Sequence, residues 1–453
     1  MTLNLIKAPL CAGLVLFATS AVWADGTVYT MTNALGNNQI AVYHRFANGN
    51  LNPIPIQTIS TGGGGSGLQL SAVDSLGSEG SLQLDQVHSL LFAVNTETTA
   101  ANNGAGAYNS DCHQGTITSF AVGSDGTLTF VDRVFSRGLY PNSLTVRRQF
   151  LSDLLYVLNA GGGETGVCDE QPSTASVPNI TGFVVDLFGH IVPLGSVQPI
   201  DPGPSAGTGV NCPDAAGFAA LTGAPAADFQ CGLNPPSFPR SPAQVGFTPD
   251  GTQLIVTVKG TNTIYAFPVD ILGRADNPTV MHAAGPALPT YFGFTFDKNE
   301  HLLVTEAFGA ATSIPMGAAG AVSSFVDGRG NLTAISSHVG DGGTAACWIA
   351  LEPETGKWAF VSNNLSASIS SYSVAGSGRV TLLGGTAASV SGPNDLGTVV
   401  EDGGSYLYVV EAGTGMIVAF KVNLANGSLT ALTGSNTLPG FPGSSFPQGL
   451  AVY

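Results

Sequence analysis

A two-strand phrase recurs seven times along this 453-residue chain. Its first half is an apolar run closing on a polar residue: VYTMTN, LLFAVN, LLYVLN, LIVTVK, LLVTEA, WAFVSN and YLYVVE. Its second half carries one aromatic at a constant place, filled by Tyr43, Phe120, Phe183, Phe267, Phe325, Tyr372 and Phe420. Val122, Val185, Val269, Val374 and Val422 follow two positions later. Period-two alternation signals strands, and β-branched and aromatic residues suit a pleated, half-buried surface. Several short strands in a unit of about 50 residues predict propeller blades. The repeat therefore predicts an all-β, seven-bladed β-propeller.

Each blade reads as four strands, named a to d from the axis outward. The apolar phrase is b and the aromatic phrase is c. Strand d follows a turn such as DGTLTF, GHIVPL or NGSLTAL, where Gly supplies positive φ without steric cost. Strand a precedes b, often after a proline, as in PNSLTV, PAQVGF, PTYFGF and PNDLGTV. The first repeat starts directly at b, and the chain ends on one more a-type strand, PQGLAVY. The C-terminal strand is thus expected to complete the first blade and close the ring, removing open sheet edges.

Residues 1–24 read as an export signal: Lys7 is their only charge, Leu10 to Phe17 is apolar, and Val22-Trp23-Ala24 offers a cleavage site. The apolar run is too short to span a bilayer. Residues 25–453 then form one propeller domain, placed in the periplasm or secreted. Only 10% of residues are charged, against 60 glycines and 27 prolines, as a turn-rich β body requires. The formal charge of −16 argues against nucleic acid and anionic membrane as partners, because phosphate contacts need clustered Lys and Arg. A closed ring needs no partner, so a monomer is expected. Cys212 and Cys231, in one Gly/Pro-rich insertion, are expected to pair. Cys112 and Cys168, in corresponding loops of neighbouring repeats, form a second candidate pair, leaving Cys347 as a buried free thiol.

Strand polarity locates the candidate site. Strands a and b are antiparallel, so every b end and every a start lie on one face of the ring. The long insertions open there: Thr96 to Gly115, Ala160 to Asn179, Asp201 to Arg240 and Ala307 to Gly320. Loops this long are usually functional or disordered. The polar b ends (Asn33, Asn95, Asn159, Lys259, Glu306, Asn363 and Glu411) are expected to ring the axis. The asparagines either start turns by bonding their own backbone or hold a ligand. Glu306 and Glu411 are either solvated or serve as a general base or as carboxylate ligands of an ion such as Ca²⁺. Lys259 and Arg240 either neutralise this acidic rim or stabilise an oxyanion. Gln244, Asp395, Asn142 and Gln448 join from the a strands, and His113 and His338 from loops. The sequence contains no G-x-S-x-G elbow, HExxH, P-loop or EF-hand pattern.

The phrases VGFTPDGTQLIVTVKGTNTIYAF, FGFTFDKNEHLLVTEA, TAACWIALEPETGKWAFVSNN and SYLYVVEAGTGMIVAF together resemble the seven-bladed propeller lactonase family. That family includes the bacterial 6-phosphogluconolactonase and the fungal 3-carboxy-cis,cis-muconate cyclase. The resemblance implies a lactonase, or a lactone-forming cyclase, acting on a small oxygen-rich molecule. The family's Pro-His-Pro entries to strand a are here Pro-Asn, Pro-Ala-Gln and Pro-Thr-Tyr. The scarcity of cations argues against a phosphorylated substrate. The alternative is a non-catalytic extracellular propeller that binds a glycan, a peptide or a surface component.

Overall fold

A computed structural model of the chain describes residues 25–34, 36–67, 74, 76–96, 115–161, 178–200, 241–259, 261–282, 290–310, 319–401, 404–412, 414–432 and 447–453. They form seven four-stranded antiparallel sheets arranged as a β-propeller, with no helix among the described residues. In blades 2 to 7 the strands follow chain order from the axis outward. Their inner a strands are Leu82–Asp85, Pro141–Arg148, Pro242–Phe247, Tyr291–Phe296, Ala346–Leu351 and Pro393–Glu401.

Blade 1 takes its a strand from the other end of the chain. Leu450–Val452 pairs antiparallel with Gly26–Met31 in the register Val28↔Val452, Tyr29↔Ala451 and Thr30↔Leu450. Thr27 N–H donates to the Tyr453 carbonyl (3.0 Å), and Tyr453 N–H donates to the Thr27 carbonyl (2.8 Å). The buried Arg45 guanidinium clamps this junction, donating to the Tyr453 carbonyl and to the Glu401 carboxylate of blade 7. The closure expected from the sequence is therefore present.

The b strands explain why their phrase is a continuous apolar run. Leu90–Asn95 and Gln253–Val258 are buried at every position, because each blade packs against a neighbour on both faces. Strand d of blade 5, Leu332–Gly340, has no fully buried residue. A recurring polar stitch joins successive blades. The Tyr29, Tyr156 and Tyr408 hydroxyls, all on b strands, donate to the carbonyls of Gly126, Gly273 and Gly49 in the c–d turn of the next blade, at 2.7–2.9 Å. Each buried hydroxyl is thereby satisfied. Of the four long insertions, 201–240 lies wholly outside the described residues and the other three are described only at their ends.

Candidate functional site

Five of the seven polar b-end residues occupy one register position: each pairs with the first residues of strand c. Asn95 Nδ2 donates to Thr116 Oγ1 and Thr118 Oγ1 (both 3.1 Å). Asn159 Nδ2 donates to Asn179 Oδ1 (3.0 Å), and Asn363 Nδ2 to Ser370 Oγ (2.7 Å). These side chains point along the blade to strand c, not to the axis, and all three are fully buried. Asn33 lies beyond the Met31↔Ile40 pair, at φ 50°, and exchanges hydrogen bonds with Ser66 (2.8 and 2.9 Å). The asparagine amides thus bond side chains across the blade or, for Asn33, Ser66, and not only their own backbone as the turn reading expects.

Glu306 takes the same position in blade 5, but with different chemistry. Its carboxylate is buried and accepts from Ser323 Oγ on strand c (2.5 Å). His338 Nδ1 stands 2.6 Å from its other oxygen, and the histidine side chain is 21% exposed. Strand d bulges here, between Val322↔Val339 and Ser324↔Ser336, which places His338 opposite Ser323. His338 adopts φ 51°, a left-handed conformation that a side chain disfavours, and its N–H donates to Ser323 Oγ (2.9 Å). A bulge re-aims a side chain, and here it aims an imidazole at a buried carboxylate. The pair can hold an imidazole in one tautomer and stabilise its protonated form.

Glu411 does not join that pair. Its oxygens accept from Ser391 N–H (2.9 Å) and Thr414 Oγ1 (2.7 Å) in blade 7. Strand c of blade 7 begins Met416-Ile417-Val418, with no hydroxyl to meet it, so the carboxylate turns to the local loop. The two glutamates, on different blades with both oxygens of each engaged, do not form one oxygen cage for an ion. Lys259 lies one residue past the Val258↔Thr263 pair and so leaves the ring. It is fully buried, donates to the Gly77 carbonyl, and lies 5.1 Å from the centre of the Phe292 ring.

Gly77 belongs to a feature the repeats do not announce. The connection from blade 1 to blade 2 crosses the axis, and residues 74 and 76–80 meet the inner strands of the ring. Leu76 N–H donates to Gln448 Oε1, while Gln448 Nε2 donates to Asp74 Oδ1 and to the Ser78 carbonyl (each 2.8 Å). Trp348 Nε1 also donates to Ser78 (3.0 Å), and Ser78 Oγ donates to the Asn142 carbonyl (2.6 Å). Glu79 N–H donates to the Ala243 carbonyl (3.1 Å). Blade 5 admits the segment through Gly293, where an added Cβ would fall 1.9 Å from Glu79 Oε2 and 2.5 Å from the Cys347 carbonyl. Gln244, placed at the site by the sequence, exchanges hydrogen bonds with the Phe294 backbone (2.6 and 3.1 Å).

This axial segment gathers buried acids around one cation. Burial pushes the Asp395 carboxyl up to about 7, although Gly449 N–H donates to it (2.9 Å). Burial, and then the charge of Asp395, lift Glu79 well above the carboxylate range. Burial also raises Asp74 and lowers Lys259, while each one's charge favours ionisation of the other. Cys347 is a buried free thiol beside them, as its place in an apolar strand predicts. Asp74 and Glu79 were legible only as two acids in a Gly/Ser-rich stretch of a weakly charged chain. Arg240, His113, Cys112, Cys168, Cys212 and Cys231, and with them both expected disulfides, lie outside the described residues, as do residues 1–24.

Residues 241–441 match the family model described as lactonase, 7-bladed beta-propeller. No curated protein matches the chain. Among solved structures, the periplasmic gluconolactonase of Pseudomonas aeruginosa is similar with a TM-score of 0.62 at 15% identity, covering 94% of this chain and 99% of that one. A candidate 6-phosphogluconolactonase of Bacteroides fragilis gives a TM-score of 0.61 at 16% identity, covering 96% and 99%. A Lactobacillus plantarum protein gives 0.61 at 14% identity, covering 95% and 99%. At these identities the likeness to solved structures is one of fold.

Proposed function

The chain is a lactonase-like seven-bladed propeller, and on that premise we propose that it is an exported hydrolase of small, oxygen-rich, unphosphorylated lactones. The observation that carries this reading is His338, held at left-handed φ with its Nδ1 2.6 Å from the buried Glu306 carboxylate. Backbone strain of this kind persists where the surroundings over-determine it, and it clusters at functional sites.

In the proposed reaction His338 is the general base. It takes a proton from a water molecule as the water oxygen bonds to the lactone carbonyl carbon. The imidazolium is stabilised by Glu306, which keeps the ring oriented through Nδ1. The ring C–O bond then breaks, the alkoxide takes the proton back from His338, and a hydroxy acid leaves. Arg240 is the cation proposed for the oxyanion, since Lys259 is committed to Gly77. Glu411 orders its own loop in this scheme. The export-like residues 1–24 support a periplasmic or secreted placement.

Base uptake in a pH-stat over a panel of aldonolactones and muconolactones tests the reading. Lactone-dependent uptake is expected, with Glu306→Gln and His338→Gln lowering kcat by about 10²–10⁴-fold while circular dichroism stays unchanged. Full activity in both variants refutes the assignment of the base. No turnover by the wild-type protein refutes the enzyme and leaves a binding propeller.

A further inference from the structure

The opposite face of the ring carries a second cluster, remote from the b ends. Asp85 closes strand a of blade 2, His88 sits in the a–b turn that follows, and Asp153 lies in strand b of blade 3, Ser152–Asn159. The a–b turns and the start of b belong to the face away from the axial segment. Asp85 and Asp153 have side chains 1% exposed, whereas His88 is 16% exposed and opens the cluster to solvent.

Around the single His88 Nδ1 stand three carboxylate oxygens: Asp153 Oδ1 and Oδ2, both at 3.0 Å, and Asp85 Oδ2 at 2.9 Å. One ring nitrogen carries at most one proton, so it cannot satisfy three acceptors. Asp85 Oδ2 is buried without a hydrogen-bond donor. Asp85 Oδ1, by contrast, accepts from Arg148 Nε (2.8 Å) and Val87 N–H (3.0 Å). Two buried carboxylates and an imidazole nitrogen therefore converge with too few protons among them.

A divalent cation resolves that shortage. Ligands at about 2.0–2.2 Å from a tetrahedral zinc ion stand roughly 3.3–3.6 Å from one another, a few tenths of an ångström wider than the 2.9–3.0 Å spacings here. We infer that Asp85, His88 and Asp153 form a site for a divalent transition metal that ties blade 2 to blade 3. Neutral imidazole donates its Nδ1 lone pair with its proton on Nε2, Asp85 supplies Oδ2, and Asp153 supplies one or two oxygens. Nitrogen and oxygen ligands together suit zinc and its neighbours better than calcium. Three protein ligands leave a position for water on the exposed side. The site is independent of the Glu306–His338 pair, so it stands or falls apart from the lactonase reading.

The test is calorimetric titration of the chelator-stripped, full-length mature protein with ZnCl₂ at pH 7. Zinc is expected to bind and to raise the unfolding temperature, and His88→Ala and Asp153→Asn are each expected to abolish one equivalent. Arg148→Ala, which removes a competing cation from Asp85, is expected to retain it. Binding that is absent, or unchanged in both ligand variants, overturns the site and leaves an imidazolium held between two carboxylates. Should His88→Ala not fold, the ¹⁵N imidazole resonances of the wild-type protein decide the matter. A zinc-shifted His88 Nδ1 supports the site, and an unshifted one refutes it.

Discussion

Gln448→Leu tests whether the segment across the axis is part of the closed ring's stability. Gln448 is fully buried two residues before the closing strand, and leucine nearly conserves its volume while removing both polar atoms. The Leu76 N–H then loses its acceptor, which costs about 1–3 kcal/mol for an unsatisfied buried donor. Asp74 loses one donor but keeps Gly77 N–H (2.8 Å), a loss of about 1.5–3 kcal/mol for a bond to a charged group. The Ser78 carbonyl keeps Trp348 Nε1, so its loss is about 0.5–1.5 kcal/mol. Leucine's apolar burial returns roughly 1 kcal/mol. The expected net cost is about 2–6.5 kcal/mol, a large share of a typical folding free energy. Urea unfolding of wild type and variant measures it through the shift in midpoint multiplied by the slope. Trp348, bonded to Ser78, reports locally, so its native emission should shift to the red. A cost under about 1 kcal/mol with unchanged emission would refute the reasoning, because a buried donor without an acceptor cannot be that cheap.

Two further outcomes follow from the same region. Deletion of residues 447–453 removes the strand paired with Gly26–Met31 and both of its ends' hydrogen bonds, so it should give an aggregating or open protein by size-exclusion chromatography. A soluble truncated monomer with a wild-type unfolding midpoint would contradict the closure argument. The buried acids set the pH dependence. A carboxyl whose folded value is raised, as Asp395 is to about 7, contributes stability that is full below its ordinary value and lost as pH rises through the raised one. Glu79 and Asp74 are raised as well, so their contributions have the same sign. The urea midpoint should therefore fall between pH 5 and pH 7.5, and Asp395→Asn should flatten that fall. An unchanged slope in the variant would show that Asp395 is not the group responsible.

The architecture was legible because every blade repeats one local pattern. An apolar run buried on both faces, an aromatic strand and a glycine turn are each decided within a few residues, and the surplus C-terminal strand leaves only one place to go. Polar positions were legible as residues but not as directions. That Asn95, Asn159, Asn363 and Glu306 turn to strand c depends on which hydroxyls the partner strand offers. The Glu306–His338 pair further needs a bulge whose register no alternation pattern specifies. The axial segment and the Asp85–His88–Asp153 cluster arise only when distant strands meet: Gln448 and Leu76 are 372 positions apart, and His88 and Asp153 are 65 apart. Sequence periodicity alone determined the blades, because a strand's burial is a short-range property of its side chains. The tertiary structure decided the chemistry, because converging polar groups depend on how the ring closes and on which segment crosses its axis.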